Sequence, residues 1–192
     1  MPRTVTALRA KGAASVDVEV DGAVWRRVPV EAAVAAGLAP GIVLDRRRLR
    51  RLRSELRRVE AVDAAARALR HRDLAASRLE HELARRGVAP RERRTTIEGL
   101  ESAGLLDDRR LAHGEARRLA KRGYGDAAIR WRLEQAGLAD EVVSEAVAAL
   151  EREIERARKI VEAEGLSART ARMLSRRGFG EDAVESAAPV AD

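Results

Sequence analysis

Apolar and polar residues alternate with a period of two near the start of the chain and with a helical period from about Asp45 onward. Val16, Val18 and Val20 are interleaved with Asp17, Glu19 and Asp21, and Asp21-Gly22 is a hairpin turn signal. Val24, Arg26 and Val28 continue the alternation beyond the turn, which places Trp25 and Arg27 on the opposite face; Trp25, like Phe179, is nonetheless assigned to a core. Val5, with Leu8, points to a preceding strand. The pattern predicts an antiparallel sheet of two or three strands, too small to be stable without a packed helix. Residues 29–36 supply a short helix closing at Gly37, and Pro40-Gly41 is a turn.

Asp45 begins the next helix, with Leu49, Leu52, Leu56 and Val59 as its apolar stripe. Arg46, Arg47, Arg48, Arg50, Arg51, Arg53, Arg57 and Arg58 crowd its other faces against the single acid Glu55. Such a single-sign cluster reads either as a solvated linker face or as a contact for phosphates or acidic protein.

One phrase then recurs. Leu83-Ala-Arg-Arg-Gly87 is followed by Val88, Leu133-Glu-Gln-Ala-Gly137 by Leu138, and Leu174-Ser-Arg-Arg-Gly178 by Phe179. Each reads as a helix end, a glycine C-cap and a hydrophobic residue folding back onto the core. Ile97 and Leu100 follow Val88 at the same offsets as Val147 and Leu150 follow Leu138. The spacing predicts three degenerate repeats of three helices each.

In the first repeat, Val62, Ala66 and Leu69 fall on one side, and Ser77-Arg-Leu-Glu80 is a capping-box pattern. Leu79 and Leu83 point inward, Pro90 suits the first turn of the third helix, and Ile97 and Leu100 are that helix's core positions. The second repeat opens on Asp107 and Asp108 as N-terminal capping carboxylates. Leu111, Ala112 and Leu119 are its buried stripe, Gly123 and Gly125 break the helix around Tyr124, and Ile129 and Leu133 share the inner face of the next. The third carries Ile154, Ala157 and Val161 inward, a break at Gly165 and Ser167, then Met173 and Leu174 in its middle helix.

The fold class is therefore mainly α: three tandem three-helix repeats forming an elongated curved body, preceded by a small β-containing N-terminal module. The expected divisions are a β-rich module at 1–44, a basic connecting helix at 45–60, repeats at 61–105, 106–150 and 151–188, and a tail at 189–192.

Composition narrows the function. Hydrophobic residues make up 45% but aromatics only 2%, so the apolar share is mostly Ala, Leu and Val. That suits helices packed through small side chains and not a large aromatic-lined ligand pocket. A formal net charge of +7 attracts polyanions, nucleic acid first. The absence of cysteine excludes disulfides and thiolate chemistry. No apolar run approaches a membrane span and the first residues lack a secretory signal, so a cytoplasmic protein with no membrane partner is expected.

No acid, base and nucleophile stand at plausible spacing, and His71, His81 and His113 lack metal-ligand spacing. A non-enzymatic protein without a metal or cofactor is expected. The candidate contact residues are basic: Arg117, Arg118, Lys121, Arg122, Arg130 and Arg132 in the middle repeat, with the pairs Arg85-Arg86 and Arg176-Arg177 at corresponding points of the outer two. The pairs also suit the negative end of a helix dipole, without any partner. Arg118, Lys121 and Arg122 share a helix face. Trp131 turns away from Ile129 and Leu133, so it either packs into a seam between repeats or offers a stacking surface to bases.

These residues carry a resemblance. Gly104-Leu-Leu-Asp-Asp-Arg-Arg-Leu-Ala112 resembles the "GxLDDxxFA" phrase that opens the central repeat of the RecX family of recombinase regulators, with Leu111 where phenylalanine is usual. Arg132-Leu-Glu-Gln-Ala-Gly137 resembles the family's "ELxxKG" phrase, with Ala136 replacing the basic residue. Leu174-Ser-Arg-Arg-Gly-Phe179 is similar to its "LxRRGF" phrase, and Ser77 to Leu83 to its first-repeat helix. The N-terminal strands also look like the β-rich extension that some members carry. The resemblance implies a protein that binds RecA-type recombinase filaments on single-stranded DNA and restrains them; a monomer is expected, with double-stranded DNA a further candidate partner. It implies inhibition or modulation of recombination, ATP turnover and filament-dependent repressor cleavage, hence a place in DNA repair and the SOS response. The competing reading is a general basic helical-repeat module whose target is nucleic acid itself.

Overall fold

The computed structural model describes residues 3–187, so the tail expected at 189–192 and the last position of the third repeat lie outside the described residues. Three strands, β1 (Val5–Lys11), β2 (Ser15–Val20) and β3 (Ala23–Pro29), precede a chain that is otherwise helical. The helices are α1 (Val30–Ala35), α2 (Arg46–Leu69), α3 (Ala76–Arg85), α4 (Pro90–Ser102), α5 (Asp108–Lys121), α6 (Asp126–Gln135), α7 (Asp140–Ala148), α8 (Glu153–Glu164), α9 (Ala168–Arg176) and α10 (Glu181–Ser186).

The sheet is antiparallel in the order β1-β2-β3. Asp21 and Gly22 both have positive φ, 53° and 86°, the backbone that a two-residue hairpin requires to match strand twist. A bulge interrupts the second pairing: Val18 faces Arg26 and Glu19 faces Val24, so Trp25 is the extra residue. The bulge shifts the phase of β3. Trp25 packs against the same core as Val28, whereas Val24 is 62% exposed. Trp25 is thus a core residue as expected, but it shares the face of Val28 instead of the opposite one, because simple alternation counts no bulge. Asp17 is buried on the sheet and accepts two bonds from Arg27, at 2.8 and 3.3 Å, which hold its carboxyl below the usual range.

Leu52, Leu56 and Val59 of α2 close the core of this module over Val5, Val18, Val20, Val28, Ala32 and Ala33. Asp45 caps α2 by accepting from the Arg48 amide at 2.7 Å. The helix then runs unbroken for 24 residues, so the expected connecting helix and the first helix of the first repeat are one element. Its phase carries on from Leu52 and Leu56. The residues it buries beyond 60 are therefore Ala61, Ala64 and Ala65, while Val62 and Ala66 are exposed and Leu69 is half-buried. In α4, Thr96 is buried and Ile97 and Leu100 are half-buried, against the expected order.

The chain forms two compact units. One runs to Arg70 and takes up Glu82–Glu98; the other comprises His71–His81 and the described residues from Gly99 onward. In the second unit, α5, α6 and α7 pack on one another around Ala112, Ala116, Leu119, Ile129, Leu133 and Val143. Helices α8, α9 and α10 do the same around Ala157, Val161, Leu174, Phe179 and Ala183.

Within this unit the middle helices meet end to end. At the amino end of α6, the Gly125 and Ala127 amides donate to the Arg177 and Gly178 carbonyls beyond α9, at 2.9 and 3.2 Å. At the amino end of α3, Ser77 Oγ donates to the Gly137 carbonyl beyond α6 at 2.6 Å, and Arg78 donates to the Gln135 carbonyl. At the α6 joint free backbone N–H groups meet free carbonyls beyond α9, whereas at the α3 joint side-chain donors reach the carbonyls at the end of α6; in both the helix dipoles attract. Ser77 is not the cap that its sequence pattern suggests. The Ala76 amide is instead received by Asp108 of α5 at 2.9 Å. Glu153 of α8 does the same in the following repeat, accepting from the Asp126 amide at 2.5 Å and from the Gly180 amide at 3.2 Å. Asp107 caps its own helix at the Arg110 amide, at 2.9 Å. The Asp-Asp phrase therefore joins a cap within a repeat to a cap between repeats.

Candidate functional site

The end-to-end joints explain the glycines around Tyr124. Gly123 has a φ of 77° and terminates α5. Gly125 has no such requirement, but a Cβ there would lie 2.3 Å from the backbone of Gly178. The two glycines pin the Tyr124 backbone between α5 and α6, and its ring packs partly into the α5–α7 core. The guanidiniums of Arg132 and Arg122 lie 4.5 and 5.7 Å from the ring centroid. Both are within cation–π range.

Arg156 holds this segment from beneath. It is only 8% exposed, and sequence reading missed it. Its guanidinium donates to the Tyr124 carbonyl at 2.7 Å, the Glu151 carbonyl at 3.0 Å and the Asp126 carboxylate, and it lies 5.7 Å from the Phe179 ring centroid. Burial pushes the Asp126 carboxyl above the usual range, against the pull of Arg156. The signal available in the sequence was an arginine beside Ala157 in the apolar stripe of α8.

The structure sorts the expected basic residues into engaged and free. Arg118 pairs with Glu115 at 3.0 Å, Arg117 donates to the His113 carbonyl at 3.1 Å, and Arg130 donates to Ser144 at 3.0 Å. Among the described residues, Lys121, Arg122 and Arg132 are exposed and have no carboxylate partner. Trp131 is 59% exposed, which removes the reading that it packs into a seam. In the other unit, Arg85 and Arg86 both pair with Glu82, at 3.5 and 2.9 Å. Arg176 is exposed, whereas Arg177 is half-buried with its guanidinium over Gly123. The outer pairs are therefore not equivalent. A groove of 690 Å³ along α9 adds Arg169 and Arg172 to Arg176 and Arg177, and sequence reading missed the first two. Their spacing from Arg176, at i−7 and i−4, was the available signal.

His81 contacts the Ser77 carbonyl of its own helix, and His113 lies 3.8 Å from Glu145. Among the described residues, no group of three or more His, Asp or Glu could hold a metal ion, and no helix is long and apolar enough to cross a membrane.

The arrangement defines a basic helical-repeat protein with an exposed tryptophan next in sequence to the exposed Arg132 and a small β-containing module ahead of the repeats. The chain is 38% identical over 144 residues to regulatory protein RecX of Halorhodospira halophila, spanning 69% of this chain and 89% of that protein. It belongs to the RecX family of regulatory proteins. Regulatory protein RecX of Chromohalobacter salexigens is 39% identical over 85 residues, covering 44% of this chain and 56% of that one. The fold matches a crystal structure of regulatory protein RecX with a TM-score of 0.79 at 17% identity, covering 95% and 97% of the two chains. No protein-family model matches the chain.

Proposed function

We propose that this protein binds RecA-type recombinase filaments on single-stranded DNA and restrains them, acting without chemistry of its own. Family membership supports the regulatory role. The observation that carries the contact surface is the cluster at the α5–α6 corner, where Arg122 and Arg132 flank Tyr124 and Trp131 is exposed. Guanidiniums without carboxylate partners neutralise phosphates or acidic side chains, and an exposed indole offers a face on which a base stacks. The resulting interface uses Lys121, Arg122, Arg132 and Trp131, with Arg117 and Arg130 in support. Arg118, Arg85 and Arg86 contribute less, because each already faces a carboxylate. Arg176 extends the basic surface on α9.

Arg122→Glu with Arg132→Glu is expected to weaken filament binding at least tenfold at low salt, with the loss shrinking as salt rises. Arg118→Glu is expected to cost less than half as much on the logarithmic scale. Titration of each variant onto filaments, with helix content checked by circular dichroism, measures this. Parent-like binding by the Arg122/Arg132 variant across a salt series would remove the corner from the interface.

A further inference from the structure

We infer that the amino-terminal half of α2 is a binding surface for the phosphate backbone of duplex DNA. This surface goes beyond the recombinase reading and needs no recombinase. Every exposed side chain between residues 46 and 58 is an arginine. Three of the basic residues on this stretch are engaged: Arg48 lies 4.0 Å from Asp45, Arg57 pairs with Glu92 at 2.8 Å, and Arg58 with Glu55 at 2.9 Å. Arg46, Arg47, Arg50, Arg51 and Arg53 have no carboxylate partner among the described residues.

Their placement is unfavourable for the isolated protein. The first turn of α2 contains no acid, so Arg46 and Arg47 crowd the positive end of the helix dipole, which the capping Asp45 carboxylate offsets only in part while it also faces Arg48. An anionic partner relieves both that opposition and the mutual repulsion of the arginines. The helix is also firmly seated, because Leu52, Leu56 and Val59 on its other side are buried in the core under the sheet. The charges are thus presented on a fixed rod.

The chemistry of the partner follows from what the surface lacks. A protein partner needs an apolar centre to its interface, and this stretch exposes no apolar side chain. Single-stranded nucleic acid is gripped by aromatic side chains under its bases, and no aromatic occurs between residues 46 and 58. A duplex keeps its bases stacked inside and offers regularly spaced phosphates outside. Arg46, Arg50 and Arg53 stand in one row, spanning about 10 Å of helix, enough for two or three phosphates. Arg47 and Arg51 form the adjoining row.

The test uses the full chain alone, with a short random-sequence duplex, its single strand and polyglutamate as probes across a salt series. Arg46→Gln/Arg50→Gln/Arg53→Gln is expected to flatten the log–log salt dependence of duplex binding by about 2 to 3, at roughly 0.9 per lost phosphate contact. Arg47→Gln/Arg51→Gln is expected to flatten it by about 2 on the same basis. Single-strand binding should change by less than half as much with either variant. Unchanged duplex slopes in both variants would overturn the proposal. So would equal flattening for the single strand, or a loss confined to polyglutamate, which would mark the patch as a site for acidic protein.

Discussion

Gly178→Ala is expected to destabilise the protein by about 4 kcal/mol, whereas Gly87→Ala, at the same point of the recurring phrase, is expected to cost about 1 kcal/mol. Both glycines have positive φ, 80° and 77°, so both substitutions impose left-handed strain on an L-residue. Only the first also meets another helix. A Cβ at Gly178 would lie 2.6 Å from both the amide nitrogen and the Cβ of Ala128, while nothing lies within 4 Å of one at Gly87. That overlap falls on backbone, which no rotamer change relieves, so α6 must withdraw from α9. The Gly125→Arg177 and Ala127→Gly178 hydrogen bonds would be lost with it. Thermal melts followed by circular dichroism should place the Gly178 variant about 10 °C below the parent and the Gly87 variant about 3 °C below. Equal shifts would show that the end-to-end joint contributes nothing.

Arg156→Met is expected to cost about 3 kcal/mol even though methionine retains an apolar stem of similar length. The guanidinium satisfies two carbonyls and a carboxylate in a site where it is only 8% exposed. Removing it leaves the Tyr124 and Glu151 carbonyls to find water and leaves Asp126 as an uncompensated charge that is already partly desolvated. Asp126→Asn in the Arg156→Met background should therefore restore some of the loss. A double-mutant cycle measures the coupling, expected at about 1 to 2 kcal/mol. Purely additive costs would mean that the pair does not act as a unit. Because Arg156 also fixes the backbone of Tyr124, its loss should weaken the platform under Arg122 and Arg132 as well.

The repeat architecture was legible because it is written in spacing. Leu83, Leu133 and Leu174 are buried and the glycines four residues later all have positive φ, as the recurring phrase requires. The hairpin at Asp21-Gly22 was legible for the same reason. Features that depend on a partner distant in sequence were not. Nothing local marks Asp108 as the cap of α3 or Glu153 as the cap of α6, since each acts on an amide from another repeat. The preference for Ala61, Ala64 and Ala65 over Val62 was hidden because alanine buries little area, yet lets helices approach closely. The bulge at Trp25 has no glycine to announce it.

The candidate interface was half legible. Sequence placed basic residues and Trp131 on α5 and α6 but did not separate engaged arginines from free ones. Glu115 stands three residues before Arg118, and Glu82 three and four before Arg85 and Arg86, so those pairings could have been read from helical spacing. The exposure of Trp131 could not, because an offset of two from Ile129 excludes one face of a helix without choosing among the others.

The proposed action is on a recombinase filament and not merely on DNA. Its most direct test is steady-state ATP turnover by a RecA-type recombinase on single-stranded DNA, measured against increasing amounts of this protein with excess free single-stranded DNA present. A filament regulator should suppress turnover at substoichiometric ratios, and added DNA should not restore it. Recovery of full turnover in proportion to the added DNA would contradict the account and leave a nucleic-acid-binding module that only competes for the strand.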